Sequence, residues 1–516
     1  MKFRIEKQDG FARLGKIGEF ITPHLIDIRI KNEVEFFEAL AERRPPEAVR
    51  RILPETYEAF LKSGLIKKAV TGNELPKDKI EILLEAGKGG EPLYVPAIAL
   101  PWNAAFLIYA GADVLDNALA LKKAYDGIYL TEAGELKIES LKELPCSCEA
   151  CINREQYRND FEFLSEHNTL ILQKEIKLAR TALRNESLRE LVEMRVKASP
   201  ETTSMLRIFD RISDSPFARF RKSPVYPNSE DSFFRPDFRY YFERLYETYD
   251  PQSHIALLLP CSARKPYMLS KSHRRIRSVL GSALKGVNEV IISSPFISPR
   301  EFELIYPIAF YDTPTTGVWS DWEVDFVAEK LAGLLNRFER VVAYLHGGYR
   351  KVAEKAGDMA GKDIEFFEDL KDLRRVLENE EKEKFDLYKE IFRHMTRYQF
   401  GVEFEIDRVR GRYPELEFFR KERVARVDPR YGNLDIYAPL ATYLKDAGSY
   451  TVEIAEFEVK GTIFSQGVLN ADEKIRPNDV VVYYNSTTTG VGQAMIPGKY
   501  MGEVDGRAII SRRKIQ

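Results

Sequence analysis

Three of the four cysteines in this 516-residue chain lie within six residues of one another. Cys146, Cys148 and Cys151 form a Cys-x-Cys-x-x-Cys pattern, and His167 follows sixteen residues later. Three thiolates this close in sequence can surround one tetrahedral ion, and zinc then needs a fourth ligand, for which His167 is the candidate. Because protein would fill all four positions, the pattern predicts a structural zinc site. The alternative is three unpaired cysteines that are buried by chance.

The fourth cysteine, Cys261, directly follows an apolar run, His254–Pro260, that is typical of a strand covered on both faces. In open α/β sheets ligands bind beyond the carboxyl ends of the strands, which makes Cys261 a candidate catalytic residue. Pro251–Asn288 contains seven Lys or Arg and no acid. Such a positive field favours the nucleophilic thiolate and would also hold phosphates. The alternative is a small buried cysteine beside a solvated helix face.

Polar side chains downstream of this cysteine extend the candidate site. Lys265 and His273 could stabilise the thiolate or donate a proton during the reaction, and the alternative for both is phosphate contact or helix termination. Asp312 and His346 fall at the same predicted end of the sheet and are further candidates. Ser270 or Ser272 can cap the helix that follows.

The composition excludes several classes of protein. Hydrophobic residues make up 44% of the chain, with 26 Tyr and 31 Phe, which excludes wholesale disorder. The 78 Lys and Arg are balanced by 80 Asp and Glu, so any site for a polyanion must be a local patch. Four cysteines in a chain this long indicate a reducing compartment rather than a disulfide framework. The charged start, MKFRIEKQDG, is unlike a signal peptide, and we expect a cytoplasmic protein.

One apolar segment, Pro92–Ala112, carries no charge and is about long enough to span a bilayer. Pro96, Pro101 and Asn103 within it interrupt any continuous helix. We therefore predict a buried strand, Leu93–Ala99, followed by a buried helix that starts near Trp102, and no membrane partner.

Periodic patterns predict the elements that flank the cysteine cluster. The first thirty residues alternate around Asp9 and Gly10 as hairpin strands do. Helical spacing predicts an amphipathic helix over Thr169–Lys197, and the proline-rich stretch Ser199–Pro236 is interpreted as a connector between domains. Two further helical patterns occur at Val34–Glu42 and Pro54–Ser63.

The middle of the chain has the pattern of a parallel sheet. Short apolar runs at His254–Pro260, Val290–Ser294 and Val341–Leu345 are typical of buried strands. Helical patterns lie between them at Ser272–Leu284 and Trp322–Phe338. Strand, helix, strand, helix, strand implies parallel strands with crossover helices.

The rest of the chain changes character twice. Ile364–Arg397 is charged and helical in pattern, and its run Glu378–Lys384 is interpreted as a solvated helix face. The last 76 residues contain short β-like runs, such as Thr451–Val459 and Val480–Tyr484, and predict a small β-barrel.

The cysteine segment Cys-Ser-Cys-Glu-Ala-Cys, followed by Glu166-His167-Asn168, resembles the zinc segment of tRNA-guanine transglycosylases. Gly111–Asp116, Arg13–Gly15 and Thr22-Pro23 also resemble that family. Its zinc cluster closes a full (β/α)8 barrel, whereas here the cluster arrives by residue 146. The interior that carries the family's nucleophilic aspartate and base-reading segment is missing. The resemblance implies a truncated TIM-barrel-like domain that cannot exchange bases by the parent chemistry.

Residues 260–273 form the pattern Pro-Cys-x-x-x-Lys-Pro-Tyr-x-x-Ser-x-x-His, which resembles the signature of archaeosine synthases. Further segments resemble that family over essentially the whole chain. They are Ser294-Pro295, Pro299–Glu301, Tyr306-Pro307, Tyr311-Asp312, Thr316-Gly317 with Trp319, and Gly347–Arg350.

This resemblance implies an enzyme of archaea that acts on tRNA carrying 7-cyano-7-deazaguanine (preQ0) in its D-loop. The family adds free lysine to the nitrile, and a radical SAM partner cleaves the lysine adduct to leave the amidine of archaeosine. Cys261 would add first to give a thioimidate that the amine displaces, and direct attack by the amine, with Cys261 structural, is the alternative. The residues expected to contact substrate or tRNA are Tyr267, Ser270, Arg274, Arg275 and Asp312.

The C-terminal segment Phe457–Val468 resembles part of a PUA domain, a module that grips the tRNA acceptor region. Gly461 and Gly467 would let the backbone approach RNA closely. Phe464 is interpreted as a core residue, and contact with the RNA is the alternative. The preceding segment, Phe400–Leu444, resembles the intermediate domain of archaeal transglycosylases.

Together these patterns predict an α/β multidomain protein. The predicted parts are a transglycosylase-like domain with the zinc site (1–200), a parallel α/β catalytic core (201–375), a small α+β intermediate domain (376–440) and a PUA β-barrel that binds RNA (441–516). Two other functions stay open, a divergent tRNA-guanine transglycosylase and a non-catalytic tRNA-binding subunit of a modification complex. A homodimer is also left open.

Overall fold

The computed structural model describes residues 3–30, 76–86, 90–316 and 318–515. The helical patterns at Val34–Glu42 and Pro54–Ser63 lie outside these residues. The chain divides into two compact units, and the division into four domains stays a prediction. The first unit comprises Met1–Ala218, Val452–Thr488 and Gly492–Arg513, and the second comprises Arg219–Thr451, Thr489–Val491 and Lys514–Gln516.

A nine-stranded sheet in the first unit combines strands from both ends of the chain. The hairpin predicted around Asp9 is confirmed, because Phe3–Asp9 pairs antiparallel with Ala12–Ile17. Phe3–Asp9 also pairs in parallel with Asp505–Lys514. Across the sheet the order is Val468–Ala471, Thr451–Ile454, Val480–Tyr484, Thr489–Ala494, Asp505–Lys514, Phe3–Asp9, Ala12–Ile17 and Phe20–Thr22, with Thr462–Phe464 paired to Asp505–Lys514. The predicted C-terminal β-structure therefore shares its sheet with the first strands.

The rest of the first unit mixes short strands with helices. Its three-stranded parallel sheet has the order His24–Ile26, Val114–Asp116, Tyr94–Val95. A separate hairpin pairs Ile128–Thr131 with Gly134–Lys137. The helices are Pro76–Ala86, Ala104–Tyr109, Ala118–Tyr125, Glu149–Ile152, Asp160–Asn185, Leu188–Val196 and Pro200–Ile212, and the 3-10 turns are Ile138–Ser140, Arg154–Gln156, Ser465–Gly467 and Gly498–Tyr500.

The apolar segment Pro92–Ala112 is largely buried, as predicted, but its elements are shorter than expected. Only Tyr94–Val95 forms a strand, and the helix Ala104–Tyr109 follows a turn closed by Asn103. The side-chain oxygen of Asn103 accepts a hydrogen bond from the Leu100 N–H at 2.7 Å. Within the described part of the chain, no helix is both long and apolar enough to cross a membrane.

The amphipathic helix predicted over Thr169–Lys197 is in fact two helices, Asp160–Asn185 and Leu188–Val196. Glu186 separates them in a left-handed backbone conformation, with a φ angle of 64°. That conformation ends the first helix, because a helix cannot continue through it. The two helices contribute apolar side chains to one hydrophobic core with the buried apolar segment.

The connector predicted for Ser199–Pro236 was wrong over its first part, because Pro200–Ile212 is helical. Pro200 occupies the first turn of this helix, where a missing N–H breaks no hydrogen bond. The Ser199 hydroxyl caps the helix by accepting a hydrogen bond from the Thr202 N–H at 3.3 Å. A proline that was interpreted as a helix breaker therefore starts a helix.

The second unit contains the predicted parallel sheet with crossover helices. Its five strands have the order Ile297–Pro299, Asn288–Ile292, Ile255–Pro260, Arg340–Ala343, Ile364–Phe366, and only the first pair is antiparallel. The helices of this unit are Glu230–Phe233, Pro236–Thr248, Lys271–Leu280, Asp321–Leu335, Gly347–Ala360, Leu370–Asn379, Leu387–Phe400 and Ala438–Asp446, and its 3-10 turns are Tyr267–Leu269, Gly281–Leu284 and Arg300–Phe302. The carboxyl ends of the parallel strands meet at one end of the sheet.

The helix predicted over Ile364–Arg397 was wrong in two places. Ile364–Phe366 is the outer strand of the parallel sheet, and the residues between the helices Leu370–Asn379 and Leu387–Phe400 are not helical. The run Glu378–Lys384 is largely exposed, as expected, but most of it lies in this connection. An antiparallel sheet follows in the order Arg408–Arg412, Glu415–Arg420, Glu422–Asp428, Asn433–Ile436.

Candidate functional site

A pocket of about 360 Å³ lies at the carboxyl ends of the parallel strands in the second unit. Cys261 follows Ile255–Pro260 into its lining, Ser293 and Ser294 follow Asn288–Ile292, and His346 lies beyond Arg340–Ala343. This volume suits a small molecule or a single base. Other lining residues used below are Lys265, Asp312, Trp319, Glu323, Gly348 and Tyr349.

A backbone hydrogen bond holds Cys261 in place, and its sulfur contacts one phenol. Its N–H donates to the Ile292 carbonyl at 2.9 Å, which continues the pairing of the two strands. Its sulfur lies 3.2 Å from the hydroxyl of Tyr349. Burial, and then the neighbouring Cys261, raise the pKa of Tyr349, so the phenol stays protonated. A protonated phenol at this distance can donate a hydrogen bond to a thiolate.

An aromatic pair forms one wall of the pocket. The rings of Trp319 and Tyr349 meet edge to face, with centroids 5.1 Å apart and planes at 67°. Gly348 permits this packing, because a Cβ there would lie 2.2 Å from Trp319 Cδ1. A flat apolar wall beside a polar cysteine can hold a planar ring.

Lys265 brings a half-buried ammonium group to the same pocket. Its Nζ lies 4.0 Å from the centroid of the Tyr311 ring, a cation–π contact. Burial lowers the pKa of Lys265, and the nearby Cys261 and Asp312 oppose this shift. An ammonium with a lowered pKa is a stronger acid than an exposed one, which suits a proton donor.

His273 is buried behind the pocket rather than in its lining. Its Nε2 lies 2.9 Å from the carbonyl of Pro260, and its Nδ1 accepts from Arg300 Nη2 at 2.9 Å. Burial, then the charge of Arg300, lower the pKa of His273 to about 4. The imidazole is therefore neutral and donates a hydrogen bond through Nε2 to the carbonyl of Pro260, the residue before Cys261. Because Nδ1 is also occupied, neither ring nitrogen is left for a substrate.

Arg300 anchors a buried ionic cluster behind this histidine. Its guanidinium contacts Glu289 at 2.5 Å and Glu303 at 2.6 Å, and all three side chains are buried. Glu303 also accepts a hydrogen bond from the Met268 N–H at 2.6 Å. The cluster thus connects the turn that follows Lys265 with the histidine that supports the Cys261 backbone. We interpret it as the scaffold that positions Cys261 and Lys265.

The other predicted contact residues divide into buried and exposed groups. The Tyr267 hydroxyl forms a hydrogen bond with the Tyr311 hydroxyl, and the Ser270 hydroxyl caps the helix Lys271–Leu280. Both side chains are almost fully buried. Arg274 and Arg275 are exposed on that helix and have no ion-pair partner among the described residues. Their guanidinium groups are open to an anion.

Asp312 is exposed and lines the pocket, as its predicted position requires. Its N–H donates to the Val225 carbonyl at 2.8 Å, which fixes the start of the loop that carries Trp319. The N-terminal residues of the helix Gly347–Ala360 complete the lining, with His346 immediately before it.

Three C-terminal residues behave differently from one another. A Cβ at Gly461 would meet no described atom within 4 Å, and its φ of 150° favours glycine. A Cβ at Gly467 would lie 2.8 Å from the Phe457 ring, so this glycine makes room for packing. The interpretation of Phe464 as a core residue was wrong, because its side chain is 41% exposed and contacts the Arg4 guanidinium.

The cysteine cluster lies in the first unit and has the geometry of a metal site. The three Sγ atoms of Cys146, Cys148 and Cys151 and one ring nitrogen of His167 all lie within 4.8 Å of one another. His167 Nδ1 is 3.4 Å from the Cys148 sulfur and 3.3 Å from the Cys151 sulfur. Three sulfurs and one nitrogen in this arrangement can bind a metal ion.

The surroundings of His167 leave one nitrogen available for a metal. Its Nε2 lies 2.9 Å from the Leu130 carbonyl, to which a ring N–H can donate, and burial lowers its pKa to about 4. The Tyr129 ring stacks on the imidazole at 3.7 Å, and its hydroxyl lies 3.2 Å from the Cys151 sulfur. These contacts orient Nδ1 toward the sulfurs, as outer contacts of metal ligands commonly do.

The sequence reasoning assigned no role to Tyr349, Glu323 or the two serines of the pocket. Ser293 and Ser294 are the last two residues of the predicted strand Val290–Ser294 and lie at the end of the sheet where Cys261 was predicted, so the same rule could have selected them. Tyr349 lies on the first turn of the helix after the next strand, and one helical turn separates it from His346. Glu323 forms a capping box with Ser320 at the start of Asp321–Leu335, which the Ser-x-x-Glu spacing indicates.

Three family descriptions match consecutive parts of the chain. Residues 69–201 match Queuine tRNA-ribosyltransferase, residues 238–377 match a domain of unknown function (DUF5591), and residues 385–445 match a pre-PUA domain. The metal-ligand cluster lies within the first match, and Cys261 with its pocket lies within the second. The expected transglycosylase-like and pre-PUA parts, with mixed α and β elements, are therefore present.

Relatives that match longer parts of the chain carry related names. The chain is 35% identical over 461 residues to archaeosine synthase subunit alpha of Methanosarcina acetivorans, covering 81% of this chain and 73% of the relative. It is 32% identical over 444 residues to archaeosine synthase of Haloferax volcanii, and the match covers 80% of this chain and 74% of that relative. It is 27% identical over 273 residues to tRNA-guanine(15) transglycosylase of Methanobrevibacter smithii, and the match covers 49% of this chain and 40% of that relative. The first two of these relatives are more than 30% identical to the chain over more than two thirds of their own length. The chain therefore belongs to the archaeosine synthase family.

Proposed function

We propose that this protein takes part in archaeosine biosynthesis and modifies tRNA that carries 7-cyano-7-deazaguanine in its D-loop. The amine added to the nitrile is free lysine, and a radical SAM partner completes the conversion of the adduct. The observation that carries the proposal is the position of Cys261, which lies in a pocket beside Tyr349 and Lys265. The names of the relatives support the choice of tRNA as substrate and of archaeosine as product.

The first step is addition of the Cys261 thiolate to the nitrile carbon. A nitrile is a weak electrophile, so the nucleophile must be activated and the nitrogen must receive a proton. A C–S bond forms, one π bond of the nitrile breaks, and its electron pair moves to nitrogen. The Lys265 ammonium supplies the proton, which leaves a neutral thioimidate and a neutral lysine side chain. The Tyr349 phenol stabilises the thiolate before attack.

The second step is attack of the amine on the thioimidate carbon. A C–N bond forms, the C–S bond breaks, and the sulfur leaves as the Cys261 thiolate. Lys265, now neutral, accepts the surplus proton of the amine and returns to its ammonium form. The product is an amidine adduct, and the thiolate and the ammonium are both regenerated. Direct attack by the amine on the nitrile, without the C–S bond, is the competing route.

The remaining predicted residues act around this chemistry. Arg274 and Arg275 are proposed to bind backbone phosphates of the tRNA, because their side chains are exposed and unpaired within the described structure. Asp312 contributes the polar rim of the pocket. His273, Tyr267 and Ser270 are positioning residues, since they are buried and bonded to the protein.

The cluster of Cys146, Cys148, Cys151 and His167 is proposed to hold a structural zinc ion. Three thiolates and an imidazole match the donor set that zinc prefers, and the protein fills all four positions. The ion would fasten the loop that carries the cysteines to the helix Asp160–Asn185. Gly461, with its uncovered backbone, is proposed to contact the tRNA acceptor region.

The test incubates the purified protein with preQ0-containing tRNA and free lysine, followed by nuclease digestion and mass spectrometry of the nucleosides. The wild type is expected to form a lysine adduct, and Cys261→Ala is expected to form none while still binding the tRNA. An unchanged adduct from Cys261→Ala would favour direct attack by the amine. No adduct from folded, metal-loaded wild type would favour a non-catalytic tRNA-binding subunit. Exchange of guanine in unmodified tRNA would instead indicate a transglycosylase.

A further inference from the structure

Ser294 carries a buried hydroxyl that the protein itself does not use. It lies two residues beyond the strand Asn288–Ile292 and contributes to the lining of the Cys261 pocket. Its side chain is only 7% exposed, and its Oγ has no hydrogen-bond partner among the residues that the structure describes. Buried polar atoms are normally paired, so an unpaired one at the pocket needs an explanation.

The neighbouring Ser293 shows what a structural hydroxyl looks like in the same place. Its Oγ accepts a hydrogen bond from the Tyr311 hydroxyl, which is also bonded to the Tyr267 hydroxyl. Ser293 therefore belongs to the network that holds the turn beside Lys265. Ser294, one residue further along the same connection, has no such role, and a ligand in the pocket is the partner that its position allows.

We propose that the Ser294 hydroxyl donates a hydrogen bond to the nitrile nitrogen of the substrate as Cys261 adds to the carbon. This inference rests on the proposed function of the pocket. As the C–S bond forms, the electron pair of one π bond becomes a lone pair on nitrogen, and negative charge develops there. Ser294 keeps its own proton, and the proton that finally reaches the nitrogen comes from Lys265.

The nitrogen of this intermediate requires two partners. It changes from linear to bent as the π bond breaks, and it then carries two lone pairs that point in different directions. Lys265, on the loop after Cys261, protonates one of them, and Ser294, on the end of the neighbouring strand, bonds the other. A hydrogen bond aimed at the site of developing charge lowers the barrier more than it strengthens binding.

The strands that lead to Cys261 and Ser294 are neighbours in the parallel sheet. Ile292 pairs with Pro260, and the Ile292 carbonyl accepts the N–H of Cys261. The backbones that carry Cys261 and Ser294 are therefore tied together immediately before both residues reach the pocket lining. In this proposal, a nitrile carbon at the Cys261 sulfur presents its nitrogen to the neighbouring strand end that carries Ser294.

The test compares wild type, Ser294→Ala and Ser293→Ala in single-turnover reactions with preQ0-containing tRNA. Ser294→Ala is expected to slow adduct formation about 100-fold with little change in the KM for tRNA, as for loss of one donor to a developing anion. With lysine omitted, the thioimidate on Cys261 should form more slowly by the same factor. Ser294→Ala should melt at or above the wild-type temperature, because it removes an unpaired buried hydroxyl. Ser293→Ala should melt below the wild-type temperature, because the Ser293 hydroxyl accepts a hydrogen bond from the Tyr311 hydroxyl.

The outcomes separate the two proposals. An active wild type with an equally active Ser294→Ala variant would overturn the role of Ser294 alone. A Ser294→Ala variant that loses activity and melts as low as Ser293→Ala would identify a structural hydroxyl and also overturn it. A wild type that forms neither thioimidate nor adduct would overturn the proposed function, and the role of Ser294 with it.

Discussion

The Cys261 sulfur and the Tyr349 hydroxyl lie 3.2 Å apart across 88 residues of sequence. The cysteine comes from the end of a parallel strand, and the tyrosine comes from the first turn of the helix Gly347–Ala360. The phenol stays protonated because burial raises its pKa. It is therefore a hydrogen-bond donor placed at the one thiol of the pocket.

Tyr349→Phe removes this donor and keeps the ring that packs against Trp319. We expect adduct formation to slow about 10-fold, because a hydrogen bond to a charged group contributes about 1.5 kcal/mol. Alkylation of Cys261 by iodoacetamide at neutral pH, followed by mass spectrometry of its peptide, should slow as well. Tyr344→Phe is the matched control, since Tyr344 lies outside the pocket lining. Equal alkylation rates in wild type and Tyr349→Phe would contradict the assigned role of the phenol.

Lys265→Met keeps the aliphatic stem and removes the ammonium. Loss of the proton donor should slow adduct formation about 100-fold. In the wild type, the adduct rate should fall at high pH as the ammonium deprotonates, and this fall should begin below the ordinary lysine pKa of 10.5 because burial lowers the pKa of Lys265. A full pH–rate profile by single-turnover assay measures this.

Lys265→Arg separates proton donation from simple charge. A guanidinium keeps the cation over the Tyr311 ring but is a far weaker acid than an ammonium. If Lys265 donates a proton, Lys265→Arg stays as slow as Lys265→Met. Recovery of the wild-type rate in Lys265→Arg would instead indicate that Lys265 only holds a phosphate.

The position of Cys261 could be predicted from sequence because it follows from topology. Three apolar runs with helices between them imply parallel strands, and the residue after such a strand faces the ligand-binding end of the sheet. Tyr349 and Trp319 were not predicted as site residues, because their place depends on how a loop and a helix pack after two further crossovers. Gly348 allows the Trp319 side chain to approach, and no local pattern reveals that contact.

His273 and Phe464 show how periodicity could have corrected two interpretations. His273, Ile276 and Leu280 have the spacing of one helix face, and all three are buried. That spacing places the imidazole in the core rather than in the pocket. In the strand Thr462–Phe464 only Ile463 is buried, so alternation places Phe464 on the outer face.

The cysteine cluster supports a prediction about metal content. Protein purified without chelator should contain about one zinc ion per chain, and Cys148→Ala should lose it, because three ligands bind zinc far more weakly than four. Structural zinc sites bind with about 10 kcal/mol, so the variant should also unfold at a lower temperature. Cys261→Ala is the matched control and should keep the metal, since Cys261 is not part of the cluster. Elemental analysis and thermal unfolding measure both effects, and a Cys148→Ala variant with full zinc content would contradict the site.

His273 supports a prediction about stability at mildly acid pH. Burial and Arg300 lower its pKa from 6.5 to about 4 in the folded protein, so between these values the unfolded chain binds the proton more readily. The stability that depends on a neutral His273 is fully present above pH 6.5 and is lost as pH falls toward 4. The shift corresponds to at most about 3 kcal/mol of unfolding free energy.

His273→Gln keeps a hydrogen-bonding side chain but does not titrate in this range. We expect it to be less stable than the wild type at pH 7, because the amide cannot reproduce both contacts of the imidazole with Pro260 and Arg300. The difference in unfolding free energy between variant and wild type should shrink as pH falls from 6.5 to 4. Urea unfolding at several pH values gives the slope of the unfolding free energy against pH for the wild type and for His273→Gln. Parallel slopes would mean that the pKa of His273 is the same in the folded and the unfolded protein, which its burial beside Arg300 opposes.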